Sequence, residues 1–179
     1  MSKPKIATTS LAGCFGCHMS ILDIDERILE LAEIVDFDKC PINDLKRFTD
    51  HCAVGLIEGG CANAENVEVL RYFRENCDIL IAVGECAIMG GLPAMRNGIS
   101  LVECLREAYV DGPSVVDGNI PNDHDIPLLL DRVYPCNEVV KIDYSLPGCP
   151  PSAELIWESL AALLSGKEVD LPYELIKYD

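Results

Sequence analysis

Four cysteines in this chain have the spacing and surroundings of metal ligands. Cys14 and Cys17 lie two residues apart on a glycine-rich turn, so both sulfurs can reach one metal centre. Cys86 and Cys149 lie far downstream, each within two residues of a glycine. Thiolates gathered in this way bind iron–sulfur clusters or zinc. We expect the four cysteines to meet in space and to hold one iron–sulfur cluster.

Apolar segments that end near glycine predict the strands that position these cysteines. Segments 5–11, 53–57 and 78–83 are β-prone, and residues 63–76 have helical spacing. This alternation predicts an α/β fold, a doubly wound parallel sheet in one domain spanning 1–179. Ligands of such sheets bind beyond the carboxyl ends of the strands, along one edge. Cysteines that follow strands are therefore expected to converge.

The remaining elements are predicted from weaker patterns. Apolar residues from Ile21 to Leu31 predict a first helix, capped by His18 or Ser20. The other predicted elements are an edge strand at 34–38, a helix at 101–109, a long loop at 111–127, a short helix at 128–134, a last strand at 138–144 and a helix from Ser152 to Gly166. The tail at 167–179 carries Tyr173 and Tyr178 and is a candidate contact with a partner.

Topology alone leaves six candidate ligands, because Cys40 and Cys61 also follow predicted strands. The chosen four are favoured by their glycine-rich surroundings, which let backbone N–H groups approach a cluster closely. Gly16, Gly84 and Gly148 are the candidates for that role. Cys77 is predicted at the opposite edge of the sheet, and the other three cysteines at helix or loop positions. All four are interpreted as small buried hydrophobic residues or incidental thiols (Cys52, Cys77, Cys104, Cys136).

Structural zinc is the main chemical alternative for four thiolates. Zinc sites usually gather their ligands as two local pairs on small loops. Here one local pair is joined by two distant single cysteines. That arrangement favours a cluster held by a whole domain over a zinc site.

Composition excludes several classes of function. The 179 residues include 14 Lys and Arg against 30 Asp and Glu, a net charge of −16 that disfavours nucleic-acid binding. A hydrophobic content of 49% indicates that some apolar surface meets another subunit. With no export signal and no membrane-spanning run, the protein is expected to be cytoplasmic. Ten cysteines then indicate thiols and metal ligation rather than disulfides.

Familiar nucleotide-binding loops are absent from the sequence. Neither G-x-G-x-x-G nor G-x-x-x-x-G-K-[ST] occurs, so NAD and ATP are not expected to bind this chain by those devices. His18 is interpreted as a helix cap or hydrogen-bond partner, with proton relay as the alternative. Glu58 follows a strand and is either a buried acid near the site or a cap.

Three motifs together resemble the small subunit of [NiFe] hydrogenases, in the domain that carries the proximal cluster. They are the segments 14–17, 84–91 and 147–151, in that order, and the resemblance extends from Ile6 to about Leu164. Residues 17–27 resemble specifically the bidirectional, NAD(P)-reducing branch. The resemblance implies a flavodoxin-like fold and one [4Fe–4S] cluster, and position by position it makes Cys14, Cys17, Cys86 and Cys149 its ligands.

The same resemblance implies a multi-subunit enzyme. The nickel–iron centre belongs to a separate large subunit in this family, and NAD binds in a diaphorase module with further iron–sulfur centres. This chain would relay electrons between them through a single cluster, with no complete active site of its own. Relatives that carry two further clusters extend beyond the point where this sequence stops.

Two positions depart from the family pattern. Many relatives have glutamate immediately before the first cysteine and two residues after the second, where this chain has Gly13 and Met19. The proton-transfer roles of those acids are therefore not transferred. A flavin such as FMN is compatible with the implied fold, but no sequence feature fixes one.

Three alternatives stay open at this point. The cluster-bearing subunit of respiratory complex I has a related fold, but it carries adjacent cysteines in its first loop, unlike the C-x-x-C here. A zinc or flavin binding module without electron transfer is the second. A secreted disulfide-bonded domain is the third, and the missing signal peptide counts against it.

Overall fold

A five-stranded parallel sheet forms the centre of the protein. The computed structural model describes residues 3–167, 169 and 171–176. The strands are β1 (Lys5–Ser10), β2 (Asp36–Phe37), β3 (Cys52–Glu58), β4 (Cys61–Asn63), β5 (Cys77–Val83), β6 (Leu129–Tyr134) and β7 (Tyr144–Leu146). Five of them form the main sheet in the order β2-β1-β3-β5-β7, and β4 and β6 form a separate antiparallel pair.

This strand order confirms the predicted fold class. Counted along the chain, the five strands of the main sheet are arranged 2-1-3-4-5, which is the flavodoxin-like order. Every neighbouring pair in the sheet is parallel. The carboxyl ends of β1, β3, β5 and β7 therefore lie along one edge of the sheet.

Helices cover both faces of the sheet, as expected for a doubly wound fold. They are α1 (Gly16–Leu22), α2 (Arg27–Ile34), α3 (Ala64–Asn76), α4 (Glu85–Met89), α5 (Leu101–Tyr109) and α6 (Ala153–Leu164). Residues of α1, α2 and α6 pack on one face against Ile6, Val54 and Ile81. Residues of α3 and α4 pack on the other face against Ile57 and Leu80. The hydrophobic core thus consists of two layers separated by the sheet.

Polar residues at the helix starts explain where several helices begin. The Asn63 side chain accepts a hydrogen bond from the Asn66 backbone at the start of α3, and Ser152 does the same for Leu155 in α6. Each satisfies an N–H group that has no partner inside its helix. Both caps fall where the sequence predicts a helix to begin.

Two predicted elements near the C-terminus are wrong. Residues 128–134, predicted as helix, contain the strand β6, which pairs with β4 far away in the sequence. The last strand of the main sheet is β7, not residues 138–144. Val139, Val140 and Ile142 pack on the α3 face without joining the sheet. Long-range pairing and packing override the local pattern in this region.

The first predicted helix is also corrected. Two helices, α1 and α2, replace one, and the chain turns between them at residues 23–26, where Asp25 adopts a left-handed φ of 56°. Neither predicted cap is a cap, since His18 and Ser20 both lie inside α1. Phe15 precedes the helix with φ of 67°.

The edge strand, the helix at 101–109 and the long loop at 111–127 are found where the sequence predicts them. Cys52, predicted in a helix or loop, is the first residue of β3. The predicted tail lies partly outside the described residues, which exclude Tyr178, and Tyr173 is exposed. Among the described residues, no helix is both long and apolar enough to cross a membrane.

Asp143 joins the β5 edge to the segment before β7. One carboxylate oxygen accepts from the Leu80 backbone at 2.9 Å and from Arg74 at 2.6 Å, and Lys141 approaches the other at 2.9 Å. Burial alone would raise the pKa of Asp143, but these hydrogen bonds lower it to about 2. The charged form therefore stabilises the folded state wherever the unfolded carboxyl, with a pKa of about 3.9, is also ionised.

We predict that Asp143→Asn lowers the free energy of unfolding by about 2 kcal/mol at pH 7. The difference in free energy of unfolding between the variant and the parent protein should shrink as pH falls from about 4 to about 2, because the Asp143 carboxylate of the parent is then protonated. Urea unfolding at several pH values measures both effects. Asp36→Asn, at an exposed position of β2, is the matched control. An equal decrease in the free energy of unfolding for the two variants would contradict the prediction.

Candidate metal centre

Three loops at the carboxyl edge of the sheet meet to form the candidate site. They follow β1, β5 and β7. The Gly84 backbone donates to Leu146 at 2.8 Å, and the Glu85 backbone donates to Gly148 at 3.0 Å. The Glu85 carboxylate accepts in return from the Gly148 backbone at 3.1 Å. The loops after β5 and β7 are thereby fixed in position relative to each other.

The structure brings the four predicted cysteines to these loops. Cys14 lies in the turn after β1, Cys17 in the first turn of α1, Cys86 in α4 and Cys149 in the loop after β7. Cys17 is within electrostatic reach of Cys14 and Cys86, and Cys86 is within reach of Cys14 and Cys149. Cys14 and Cys149 are exposed and the other two are half-buried. The four thiols therefore converge at a partly open rim.

Glycines leave the space that the sulfurs occupy. A Cβ at Gly84 would lie 2.4 Å from the Cys17 sulfur, and one at Gly91 would lie 2.9 Å from the Cys86 sulfur. Both glycines also have positive φ, of 82° and 49°, and residues with a side chain rarely adopt such values. A Cβ at Gly16 would lie 3.1 Å from the Cys14 sulfur. The sequence pattern indicates Gly16, Gly84 and Gly148 but not Gly91, and a Cβ at Gly148 would meet the Pro151 backbone at 2.6 Å rather than a sulfur.

The cysteine sulfurs are not gathered as tightly as the ligands of one bound zinc ion. Sulfurs around a tetrahedral zinc lie about 3.8 Å apart, given a Zn–S distance of about 2.3 Å. Within the described part of the chain, only Asp123, His124 and Asp125 bring three potential ligand atoms within 4.8 Å of one another. No three of the cysteine sulfurs, all of which the structure describes, therefore all lie within that distance of one another. Four thiols around a glycine-lined space fit an iron–sulfur cluster.

Glu58, the last residue of β3, lies behind the cysteine rim. Its side chain is 3% exposed, and it accepts a hydrogen bond from the His18 backbone at 3.1 Å. The Cys17 thiol and the Ser10 hydroxyl also approach this carboxylate. Burial alone would raise the pKa of Glu58, but the hydrogen bonds from His18 and Ser10 hold it below the usual value. A buried negative charge therefore lies next to one candidate ligand.

His18 links Glu58 to the interior of the sheet. Its Nδ1 lies 3.1 Å from the Glu58 carboxylate, and its Nε2 lies 2.9 Å from the Thr8 hydroxyl. Phe15 stacks on the imidazole ring with the centroids 4.4 Å apart. The Thr8 hydroxyl donates to Cys40 at 3.2 Å. His18 is thus a hydrogen-bond partner, one of the three roles that the sequence left open, and Glu58 is the buried acid.

The pKa values of the two half-buried thiols are raised. Burial is the main cause for Cys17, and the nearby Glu58 carboxylate adds to it. Burial also raises the pKa of Cys86, while a hydrogen bond from the Leu92 backbone acts in the opposite direction. A backbone N–H aimed at a ligand sulfur is typical of iron–sulfur sites. The position of Leu92 is not detectable from its sequence pattern.

The other cysteines lie apart from this rim. Cys40 is buried against Thr8, and Cys61 is buried beside Cys136 at the start of β4. Cys52 and Cys77 face each other across β3 and β5, at the amino edge of the sheet. Cys104 lies in α5. The structure therefore does not bring Cys40 or Cys61 into the group of four.

Comparison with known proteins assigns the family. Residues 14–163 match the family described as NADH ubiquinone oxidoreductase, 20 Kd subunit. The delta subunit of the NAD-reducing hydrogenase HoxS from Cupriavidus necator is 49% identical over 180 residues, covering 99% of this chain and 86% of that protein. A protein of the F420-non-reducing hydrogenase from Methanothermobacter thermautotrophicus is 39% identical over 174 residues, covering 95% of this chain and 56% of that protein.

A solved structure matches along almost the whole chain. It is a crystal structure of an NAD⁺-reducing [NiFe]-hydrogenase in the H2-reduced state, with a TM-score of 0.96, 52% identity and 99% coverage of both chains. The family model alone does not separate complex I subunits from hydrogenase subunits, but these identities favour the hydrogenase branch. The chain therefore belongs to the family of the 20-kDa subunit of NADH:ubiquinone oxidoreductase and, within it, to the small subunits of NAD-reducing [NiFe] hydrogenases.

Proposed function

We propose that this chain carries one [4Fe–4S] cluster on Cys14, Cys17, Cys86 and Cys149 and relays electrons within a hydrogenase complex. The observation that carries the proposal is the convergence of these thiols around a glycine-lined space at one edge of the sheet. Such a cluster accepts and releases one electron at a time. Zinc is disfavoured because one local cysteine pair is joined by two distant single cysteines, whereas structural zinc sites usually use two local pairs.

The residues of the chain hold the site and tune it. Gly84 and Gly91 allow the backbone to approach the sulfurs, and the Leu92 N–H hydrogen-bonds the Cys86 sulfur. Backbone donors of this kind raise the potential of iron–sulfur centres, whereas a nearby negative charge such as that of Glu58 lowers it. The reduction potential of the proposed cluster is thus raised by the backbone donor and lowered by the Glu58 carboxylate.

Exposed apolar side chains support a partner subunit at the cysteine rim. Met19 and Met89 are about half exposed and lie on the helices that carry Cys17 and Cys86. Leu92 and Met95 follow α4 and are 72% and 73% exposed. Apolar side chains grouped in this way mark protein interfaces. We name Met19, Met89, Leu92 and Met95 the rim patch.

The partners are proposed from the relatives. Two of the relatives are named as NAD-reducing hydrogenase proteins, so we propose a large subunit with the nickel–iron centre on one side and a diaphorase module that binds NAD on the other. In this scheme electrons pass from the large subunit through this chain to the diaphorase, or in reverse. We also propose the cytoplasm as the compartment, because ten cysteines, four of them proposed as cluster ligands, are typical of a reducing environment.

Cys86→Ser is predicted to remove most of the cluster. A serine hydroxyl is a harder and less acidic ligand than a thiol, so the bond between residue 86 and one iron of the proposed cluster is lost or weakened. Iron and acid-labile sulfide analysis of anaerobically purified protein, with EPR of the reduced sample, measures the loss. About four iron and four sulfide per chain are expected for the parent protein.

The matched control is Cys104→Ser, in α5 and away from the rim. This variant should retain the iron and sulfide content of the parent. Equal occupancy in the two variants would refute the ligand assignment. Zinc without sulfide in the parent protein would refute the cluster itself.

Gly84→Ala is predicted to lower cluster occupancy without removing a ligand. The added Cβ would displace the Cys17 sulfur and would impose a φ that alanine disfavours by roughly 1–2 kcal/mol. Gly98→Ala is the control, because a Cβ there meets nothing within 4 Å. The sulfide content per chain and the midpoint temperature of thermal unfolding should both decrease for Gly84→Ala and not for Gly98→Ala. Identical values for the two alanine variants would contradict the proposed cradle.

Leu92→Asp is predicted to weaken association with the large subunit. A buried carboxylate without a partner costs several kcal/mol at an interface, enough to lower the affinity at least tenfold. Co-purification of nickel with the tagged chain provides the readout. Ile34→Asp is the control, since Ile34 is half exposed but ends α2 near the opposite edge of the sheet. Equal nickel recovery from both variants would exclude the rim patch as the interface.

A further inference from the structure

A cavity of about 160 Å³ lies between α1, α2 and the β1–β2 edge of the sheet. Its floor is formed by Thr8, His18 and Cys40, all of them buried. Three of their polar atoms contact one another, because the His18 Nε2 lies 2.9 Å from the Thr8 hydroxyl, which donates to Cys40 at 3.2 Å. The His18 Nδ1 lies 3.1 Å from the Glu58 carboxylate. None of the four predicted cluster ligands lines this cavity. It is therefore separate from the candidate metal centre.

The walls of the cavity are apolar. They are formed by Ile21 of α1, Ile28 of α2 and Phe37 of β2. The amide of Asn43, at the mouth, donates to the Phe37 and Asp38 carbonyls and so has little left to offer a ligand. Water needs two to four polar partners to occupy a cavity, and these walls do not supply them. The cavity thus favours an apolar occupant.

Its size sets a limit on that occupant. An engineered apolar cavity of about 150 Å³ in another protein binds benzene, which is the ring of a phenylalanine side chain. Cofactors and drug-sized ligands need about 300–1,000 Å³. A flavin is therefore too large for this cavity. One phenyl or branched aliphatic group fits.

The mouth of the cavity indicates a polypeptide rather than a small molecule. Ile42 is 56% exposed and Leu22 is 37% exposed, and both line the opening. A small ligand inside the cavity would leave these two side chains in contact with water. A polypeptide that inserts one side chain would cover them as well. An anchor residue surrounded by such contacts is the usual form of an interface hot spot.

The charge beside the mouth specifies the partner further. Asp23, Asp25 and Glu26 form the turn directly after Leu22, and within the part of the chain that the structure describes none of the three makes an ion pair. The next residue, Arg27, is engaged by Glu154 at 2.8 Å. This side of the opening is therefore negative, and it complements lysine or arginine residues.

We propose that this cavity is a docking socket that receives one large apolar side chain from a basic segment of a partner polypeptide. The proposal goes beyond electron relay and does not depend on the presence of a cluster. Burial of the partner's apolar side chain supplies affinity, and the acidic turn selects partners with lysine or arginine beside that side chain. Both elements are required for the interaction.

Methyl NMR of the full chain tests the socket directly. Isoleucine methyl labelling places reporters on the walls and mouth, at Ile21, Ile28 and Ile42. The probe is an acetylated, amidated peptide of the sequence KKFKK, compared with KKAKK and EEFEE. We expect KKFKK to shift the three methyl signals with saturation, and the other two peptides to bind at least tenfold more weakly.

Two variants and a control separate the socket from general surface attraction. Ile28→Trp fills the cavity and should abolish the shifts at Ile21. Ile42→Asn, at an exposed position, removes an apolar contact without adding a charge, and it weakens binding without the folding cost of a core substitution. Leu29→Trp adds the same bulk on the same helix at an exposed position and should bind KKFKK like the parent.

Three outcomes would overturn the socket. Equal binding of KKAKK would mean that charge alone attracts the peptide, and equal binding of EEFEE would mean that the acidic turn has no role. Benzene that shifts the three methyl signals while KKFKK does not would assign the cavity to small apolar molecules. A protein without a cluster can still give the expected result, so failure of the proposed function is distinguished from failure of the socket.

Discussion

The site depends on one close approach of backbone to sulfur, at Gly84. The loop after β5 passes so near the Cys17 sulfur that no side chain fits between them, and the same loop is bonded to the segment after β7. Chain segments distant in the sequence are thereby held at fixed separations. A parallel sheet supplies the common edge, and glycine supplies the contact distance that lets thiols share one space.

A buried ionisable pair lies directly behind that contact. Glu58 and His18 are removed from water together, which is costly unless each satisfies the other. The His18 Nδ1 and one Glu58 oxygen have no other partner among the described residues. Replacement of either side chain would leave a buried polar atom of the other, the His18 Nδ1 or that Glu58 oxygen, without a neighbouring partner. This pair therefore ties the orientation of α1, which carries Cys17, to the end of β3.

The sequence predicts what depends on local pattern and misses what depends on distant pairing. Central strands, glycine-flanked cysteines and the caps Asn63 and Ser152 each carry a local signature, and the structure contains them. Strand β6 carries none, since its partner β4 lies far upstream. The Leu92 N–H and the contact of Glu58 with Cys17 arise from folding alone. The glycines beside the four cysteines distinguish them in the sequence, and their role as ligands remains a proposal.

The order of the strands also constrains when the site can form during synthesis. Strand β7 pairs with β5 at the far edge of the sheet from β2, and Cys149 follows β7. The chain is synthesised from its N-terminus, so Cys14, Cys17 and Cys86 leave the ribosome before Cys149. Cys149 reaches them only when the C-terminal segment has left the ribosome. The rim is therefore completed late, and a partly translated chain presents three of its four thiols.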